Sequence, residues 1–201
     1  AFELQFLGAT ERVTGSLYLL RAGEAQIVLE CGLVQGVPDE EAHNREPFPF
    51  EIDAIDAVVI SHSHIDHSGR VPLLVKQGYA GPVYTHEASK ALCEIMLPDS
   101  GYLNEKEAEW ENRKRAKQGR VSIRPLYTRE DAEACIGQFV GLEYETPREI
   151  VPGLTLTLFD AGHILGASIV QLEYDDKGTK RTLVFSGDLG YRDAPVMNPP
   201  A

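Results

Sequence analysis

Four side chains that can bind a metal stand within the six residues His62-Ser63-His64-Ile65-Asp66-His67. In an extended segment, residues two positions apart point the same way, so His62 and His64 can hold one cation together. Asp66 and His67 then face a second position, where the chain turns. Imidazole and carboxylate donors without a thiolate favour zinc or a similar divalent ion. A solvated polar loop is the alternative, but three of the six histidines cluster here.

Two isolated polar residues further along the sequence extend this candidate site. His163 follows an apolar run that ends at Phe159, and Asp188 follows another that ends at Phe185. Both lie among glycines, and layered α/β proteins place their sites in loops at strand ends. A single histidine after a strand is more often structural. Together with the first cluster, however, it is expected to bind a metal, and the Asp188 carboxylate is expected to bridge two ions.

The segments that must position these residues are strands at both ends of the chain and helices between them. Apolar runs bounded by glycine and turn residues predict strands at 2–7, 16–20, 25–29, 56–60, 81–84, 154–159, 168–174 and 181–185. Helices are predicted at 68–78, 87–96, 104–118 and 132–139. Ser68 is the expected cap of the first helix, and Thr128 opens a capping box before the last. This order predicts a layered α/β domain.

Composition limits the class of protein. The chain has 201 residues, of which 43% are hydrophobic and 25% charged, so it suits one globular domain with a hydrophobic core. Its formal net charge of -12 restricts any nucleic-acid binding to a local surface. No apolar run approaches the roughly 18 residues of a membrane span, so no membrane partner is expected. Three cysteines without C-x-x-C spacing are typical of a cytoplasmic protein.

The segments around His62, His163 and Asp188 resemble the second, third and fourth motifs of the metallo-β-lactamase superfamily. Near the start, Phe6-Leu7-Gly8-Ala9 and Val13-Thr14-Gly15-Ser16 are similar to its β-CASP branch, which contains RNA-processing nucleases. Within that branch, the chain most resembles the bacterial and archaeal relatives of the endonuclease that cleaves pre-mRNA 3′ ends. The resemblance covers essentially the whole chain.

The resemblance implies an αββα sandwich with the site at its upper edge, two zinc ions, and hydrolysis of a phosphodiester by a metal-bound hydroxide. The implied ligands are His62, His64 and His163 for the first zinc, and Asp66 and His67 for the second, with Asp188 bridging both. Asp66 is also the candidate catalytic residue, because it would touch metal and water together and take the proton of the water.

Two departures from the family pattern change these expectations. Glu30 stands where the first motif has an aspartate, and we expect it to hold a ligand histidine from behind. The family also continues past Asp188 into a β-CASP insertion and a C-terminal return, which supplies another metal-binding histidine. Residues 1–201 are therefore interpreted as the N-terminal portion of a catalytic domain, with an incomplete sandwich. Such a piece is expected to be inactive alone, to bind the first zinc better than the second, and to form a homodimer through uncovered faces.

Three functions remain open from the sequence. The first is a zinc-dependent ribonuclease of the β-CASP type that acts in RNA processing or decay. The second is another hydrolase on the same scaffold, with DNA, a thioester or a lactam as its substrate, and the third is a non-catalytic metal-binding protein. Arg113, Lys114 and Arg115 form a basic patch suited to an RNA backbone, although such a run is more often a solvated helix end. His86 is expected to be a surface or capping residue.

Overall fold

The computed structural model describes residues 2–176, 178–193 and 195–201, and within them two β-sheets face each other. The first sheet contains, in spatial order, β1 (Phe2–Phe6), β2 (Leu17–Ala22), β3 (Ala25–Cys31), β4 (Ala57–Val59), β5 (Val83–His86) and β6 (Phe139–Leu142). The second sheet contains, in spatial order, β10 (Thr179–Phe185), β9 (Ser168–Asp176), β8 (Leu154–Asp160) and β7 (Arg148–Val151). The helices are α1 (Glu40–Arg45), α2 (Ile65–Ser68), α3 (Val71–Lys76), α4 (Glu87–Lys117) and α5 (Arg129–Cys135).

Strand direction brings several loops to one edge of the first sheet. Strands β1 to β3 pair antiparallel, whereas β3 to β6 pair parallel. The carboxyl ends of β3, β4 and β5 therefore lie together at the same edge. The second sheet is antiparallel throughout and is joined to this edge by a hydrogen bond from Ser168 N to Ser61 O of 2.9 Å.

Two apolar cores lie on the two faces of the first sheet. Between the sheets, β2 and β3 contribute Leu20, Ile27 and Leu29, which pack with leucines of the second sheet. On the other face, residues of α3, α4 and α5 pack against the same strands. Each fully buried leucine contributes about 1.5–3 kcal/mol to folding. The predicted layered α/β domain is confirmed, and in the described ranges the helical layer covers the first sheet alone.

Helix α4 is a single helix of 31 residues, where two helices were predicted. The expected break contains Pro98 and Gly101, and both are buried inside the helix. Gly101 serves a packing contact: a Cβ atom there would lie 2.6 Å from Thr128 O, so glycine lets α4 approach the start of α5. The glycine at position 101, which the sequence suggests as a helix breaker, is thus explained by the contact of α4 with the start of α5.

The prediction of one helix at 68–78 is also wrong, because two short helices, α2 and α3, occupy residues 65–68 and 71–76. The first, α2, begins at Ile65 with His64 as its N-cap residue, and Ser68 donates its hydroxyl to the carbonyl oxygens of Ser63 and His64. The second is α3. The sequence also missed β6, β7 and α1. The capping box is confirmed, since Thr128 and Asp131 exchange both hydrogen bonds.

None of the helices in the described part of the chain is long and apolar enough to span a membrane.

Candidate metal centre

The structure brings the predicted site residues together from three distant stretches. The segment from His62 to His67 follows β4 and enters α2, while His163 lies in the loop after β8 and Asp188 in the loop after β10. Each ligand candidate therefore leaves the end of a strand at the same edge of the sandwich. Strands hold such residues rigidly because their backbones are fixed by ladder hydrogen bonds.

Three imidazoles and one carboxylate form a first cluster. His62 Nε2 lies 3.0 Å from His64 Nδ1, and His163 Nε2 lies 3.3 Å from the same atom. Asp188 Oδ2 completes the group, 3.6 Å from His163 Nε2 and 4.0 Å from His62 Nε2. One ligand atom from each of these four residues lies within 4.8 Å of every other, so the group can hold a metal ion.

The donor separations fit a tetrahedral ion. Zinc bonds of about 2.0–2.1 Å in a tetrahedron place ligand atoms about 3.3–3.4 Å apart. The four separations in the first cluster scatter around that value. A neutral imidazole nitrogen can donate or accept only one hydrogen bond. His64 Nδ1 therefore cannot form hydrogen bonds with both His62 and His163. Converging lone pairs are the donor set that a divalent cation requires.

A second cluster lies on the other side of the Asp188 carboxylate. His67 Nε2 is 3.4 Å from Asp188 Oδ1 and 3.6 Å from Asp66 Oδ2. Asp188 thus turns one oxygen toward each cluster, which is the arrangement of a bridging carboxylate. The structure therefore brings together all six predicted ligands. Their assignment as ligands stays a prediction, which these distances support.

Glu30 reaches the second cluster from behind through a bulge in β3. Leu17 pairs with Cys31 and Tyr18 with Leu29, so Glu30 is the extra residue, with a left-handed φ of 61°. Bulges often redirect a side chain next to a site, and a glutamate at positive φ is unusual. The fully buried carboxylate accepts a hydrogen bond from His67 Nδ1. The expected support of a ligand histidine by Glu30 agrees with this contact.

Ser61 connects Glu30 to the first cluster, and sequence reasoning does not single it out. Its backbone N–H and its hydroxyl both donate to Glu30, at 2.5 and 3.0 Å. The hydroxyl oxygen also lies 2.9 Å from His62 Nδ1, so it can accept the proton of that nitrogen and leave Nε2 free as a ligand. The only signal in the sequence is a hydroxyl residue between a buried strand and the first histidine.

Burial and neighbouring charges set the protonation of the three histidines in the segment. Burial, reinforced by His67 and His64, lowers the pKa of His62 to about 2. Burial and His163 lower the pKa of His64 as well. Burial opposes protonation of His67, but the hydrogen bond and charge of Glu30 outweigh it and raise the pKa. His62 and His64 therefore present neutral imidazoles, whose lone pairs are available to a metal.

Backbone contacts fix the two loops that carry His163 and Asp188. Gly190 N donates to Ala161 O at 2.8 Å, and a Cβ atom on Gly190 would meet Gly162 O at 1.7 Å. Only glycine permits this approach, so the two loops are in direct contact. The loop of His163 is closed further by the bond from Ala161 N to Ala167 O at 2.9 Å.

The predicted basic patch lies far from these clusters. Arg113, Lys114 and Arg115 occupy the end of α4, whose start contacts the His163 loop through Ser89 Oγ and Gly166 O. Twenty-four residues of helix between Ser89 and Arg113 correspond to roughly 36 Å. Arg115 pairs with Glu111 at 3.3 Å, and Lys114 lies over the ring of Trp110. The structure does not bring the patch to the site, and an RNA role for it stays a prediction.

A profile described as the metallo-beta-lactamase superfamily matches residues 10–200. The chain belongs to the metallo-β-lactamase superfamily. Among curated relatives, "Ribonuclease TTHA0252" of Thermus thermophilus is 38% identical over 194 residues, which cover 96% of this chain and 39% of that protein. "Transcription termination factor FttA" of Methanococcus maripaludis is 30% identical over 195 residues, which cover 96% of this chain and 28% of that protein. The chain thus spans well under half the length of these relatives.

Solved structures of the superfamily share the fold. A metallo-β-lactamase of Cronobacter sakazakii with the HARLDQ motif superposes with a TM-score of 0.55 at 18% identity, covering 96% of this chain and 62% of that one. The native metallo-β-lactamase FEZ-1 of Legionella gormanii gives a TM-score of 0.54 at 18% identity, covering 94% and 62%. The superfamily fold that the sequence predicted is confirmed. At this identity, the likeness concerns the fold alone.

Proposed function

We propose that this chain is part of a zinc-dependent ribonuclease of the β-CASP branch, which acts in RNA processing or decay. The observation that carries the proposal is the convergence of His62, His64 and His163 on one side of the Asp188 carboxylate. A relative named as a ribonuclease, 38% identical across nearly the whole chain, supports RNA as the substrate. The N-terminal segments that are similar to the β-CASP branch support the same substrate.

The donor chemistry supports zinc as the ion in both positions. The first position would be held by three imidazole nitrogens with Asp188, and the second by His67, Asp66 and the other oxygen of Asp188. Neither cluster includes a thiolate, and imidazole with carboxylate suits zinc. The chain offers the second position fewer imidazoles, so we propose that the first ion binds more tightly.

Bound zinc would polarise the phosphoryl oxygens and lower the pKa of a water molecule toward neutrality. The residues of the chain supply position and proton transfer. Asp66 is the proposed base, because its carboxylate is partly exposed while the adjacent His67 is held by Glu30. Ser61 and Glu30 would fix the imidazole tautomers of His62 and His67, so that each ring turns Nε2 inward.

We also propose that residues 1–201 are the N-terminal portion of a longer catalytic domain. The share of each curated relative that the chain covers supports this, as does the second sheet, whose outer face exposes Val184. The isolated chain would then be a weak catalyst and would tend to form a homodimer. Three free, buried cysteines agree with a cytoplasmic location.

The experiment that tests the proposal is a substrate panel with one and two equivalents of zinc. Single-stranded RNA, single-stranded DNA, a thioester and a β-lactam are offered to the chain and to any longer natural form of it, with His64→Ala as the metal-free control. We expect cleavage of RNA in preference to the others, most strongly in the longer form. Turnover of the thioester or lactam without RNA cleavage would contradict the proposal. It would assign the same scaffold to another hydrolase.

A further inference from the structure

His86 occupies a position beside the metal loop that the assigned site does not use. It is the last residue of β5, and β4 pairs with β5 in the register Val58 with Val83 and Val59 with Tyr84. The pairing ends there, and the two strands deliver the residues that follow them, including Ser61 and His86, to the same edge of the first sheet. Tyr84, two residues before His86, faces the space between the sheets, and side chains two positions apart in a strand share a face.

Two contacts fix the imidazole of His86. Its Nδ1 accepts a hydrogen bond from Ala88 N at 3.1 Å and thereby caps α4, which confirms the expected capping role. One face of the ring stacks on Tyr144, with 3.9 Å between centroids. Tyr144 in turn donates its hydroxyl to Ala167 O, in the loop that carries His163. The ring is therefore connected through Tyr144 to the loop that carries the third ligand histidine.

The cap leaves one hydrogen-bonding atom of His86 free. Because Nδ1 accepts, the neutral ring carries its proton on Nε2. Burial lowers the pKa of His86, although Asp160 and Glu87 oppose the shift, so the ring stays neutral near pH 7. Nε2 makes no hydrogen bond to the described residues and is not among their buried polar atoms. A preoriented N–H group next to a phosphodiesterase site is suited to a phosphoryl or hydroxyl oxygen.

We propose that His86 is a substrate-binding residue, whose Nε2–H donates to an oxygen of the RNA backbone next to the scissile phosphate. The inference rests on the proposed ribonuclease function, since it names a contact of that same site. It assigns His86 two tasks, with one nitrogen for the helix cap and the other for the substrate.

A matched pair of variants separates the two nitrogens. In His86→Asn, the amide oxygen lies near the position of Nδ1 and can cap Ala88, whereas no donor reaches the position of Nε2. In His86→Gln, the amide group reaches the position of Nε2, and the cap is lost. The readouts are thermal stability, zinc content and the Kd for a fluorescein-labelled single-stranded RNA with zinc present. KM and kcat are added for the form that cleaves RNA.

We expect His86→Asn to keep the melting temperature and zinc content but to raise the Kd and KM about tenfold, because a hydrogen bond to a charged oxygen is lost. The kcat value should change little. His86→Gln should melt earlier but keep a Kd close to wild type. If both variants bind RNA like the wild type, the inference is overturned and the cap is the sole task of His86. If the longer natural form with zinc neither binds nor cleaves RNA, the proposed function itself fails.

Discussion

The edge of the sandwich that carries the site and the helical layer formed by α3, α4 and α5 differ in one respect. They differ in how closely their residues follow the usual preferences for backbone conformation and charge pairing. At the site edge, Glu30 adopts a left-handed φ in a strand bulge, and three imidazoles crowd around the Asp188 carboxylate. In the helical layer, Thr128 and Asp131 form a complete capping box, and Asp131 also pairs with Lys76 at 2.7 Å. Without a bound ion, the arrangement at the site edge destabilises the fold, whereas the capping box and the ion pair stabilise it without any ligand.

This difference shows which part of the molecule a ligand must stabilise. Buried imidazoles with converging lone pairs gain nothing from each other, but they bind a cation strongly. Departures from the usual conformational preferences are typical of functional sites. Substitutions at the site edge should therefore change metal binding and catalysis, and substitutions in the helical layer should change stability alone.

The largest expected effect is the loss of a first-cluster imidazole. His64→Ala removes the nitrogen that both His62 and His163 approach. Zinc at the first position should be lost, and RNA cleavage should fall by about 10³-fold or more, since a metal supplies several kcal/mol of transition-state stabilisation. Elemental analysis and a cleavage assay measure the two effects. His43→Ala is the control, because His43 contacts Glu46 in an exposed pair. Full zinc content and full rate in His64→Ala would refute the assignment.

The opposite result is expected in the helical layer. Leu97 is fully buried in the core of α4, and Leu97→Ala should lower the free energy of unfolding by about 2–5 kcal/mol. Leu103 lies on the same helix and is 51% exposed, so Leu103→Ala should cost within about 0.5 kcal/mol. Urea denaturation measures both values. Zinc affinity should be unchanged in folded Leu97→Ala, and a large loss of affinity would break the contrast between the two regions.

Glu30→Gln tests the group behind the second cluster. The substitution keeps the size of the side chain but removes the charge that raises the pKa of His67. Affinity for the second zinc should fall about 10–100-fold, as is usual when a partner of a ligand histidine is lost, with the first zinc less affected. Two-step zinc titration by calorimetry resolves the two positions. Glu24→Gln, in the exposed turn after β2, is the control. Equal weakening of both positions would argue against separate support by Glu30.

The smallest expected effect concerns Asp131 in the capping box. Burial raises the pKa of its carboxyl, but hydrogen bonds from Lys76 and Thr128 outweigh this and lower it below 3.8. The ionised form therefore stabilises the fold above the unfolded pKa, and this contribution disappears as the pH falls through the folded pKa. Asp131→Asn should cost about 0.5 kcal/mol at pH 7, and this cost should shrink as the pH is lowered through the folded pKa. Urea denaturation at pH 7 and at a series of acidic pH values tests this, and a cost that does not change with pH would exclude an ionic origin.

The sequence identified the ligand candidates because their residue types and spacing are local signals. His62, His64 and His67 stand within one short segment, and His163 and Asp188 each follow a strand. What the sequence could not show depends on distant partners. The bulge at Glu30 arises from pairing between β2 and β3, and the role of Ser61 depends on its contacts with Glu30 and His62. The role of each depends on the assembled fold.

The same reason explains the errors in the helical layer. Pro98 and Gly101 carry breaker signals, yet α4 continues because Gly101 packs on Thr128. Strand β6 was missed, and its first residue, Phe139, was included in a predicted helix, because its apolar residues are too few to show a period. Its pairing with β5 decides its conformation. Local propensity is thus outweighed by contacts between segments far apart in the chain.

Anomalous diffraction at the zinc edge from crystals grown with zinc tests the central claim most directly. The account predicts a strong peak about 2.0–2.1 Å from His62 Nε2, His64 Nδ1 and His163 Nε2, with a weaker peak beside His67 across the Asp188 carboxylate. A map with no peak among the three imidazoles, or with its strongest peak bound elsewhere on the chain, would contradict it.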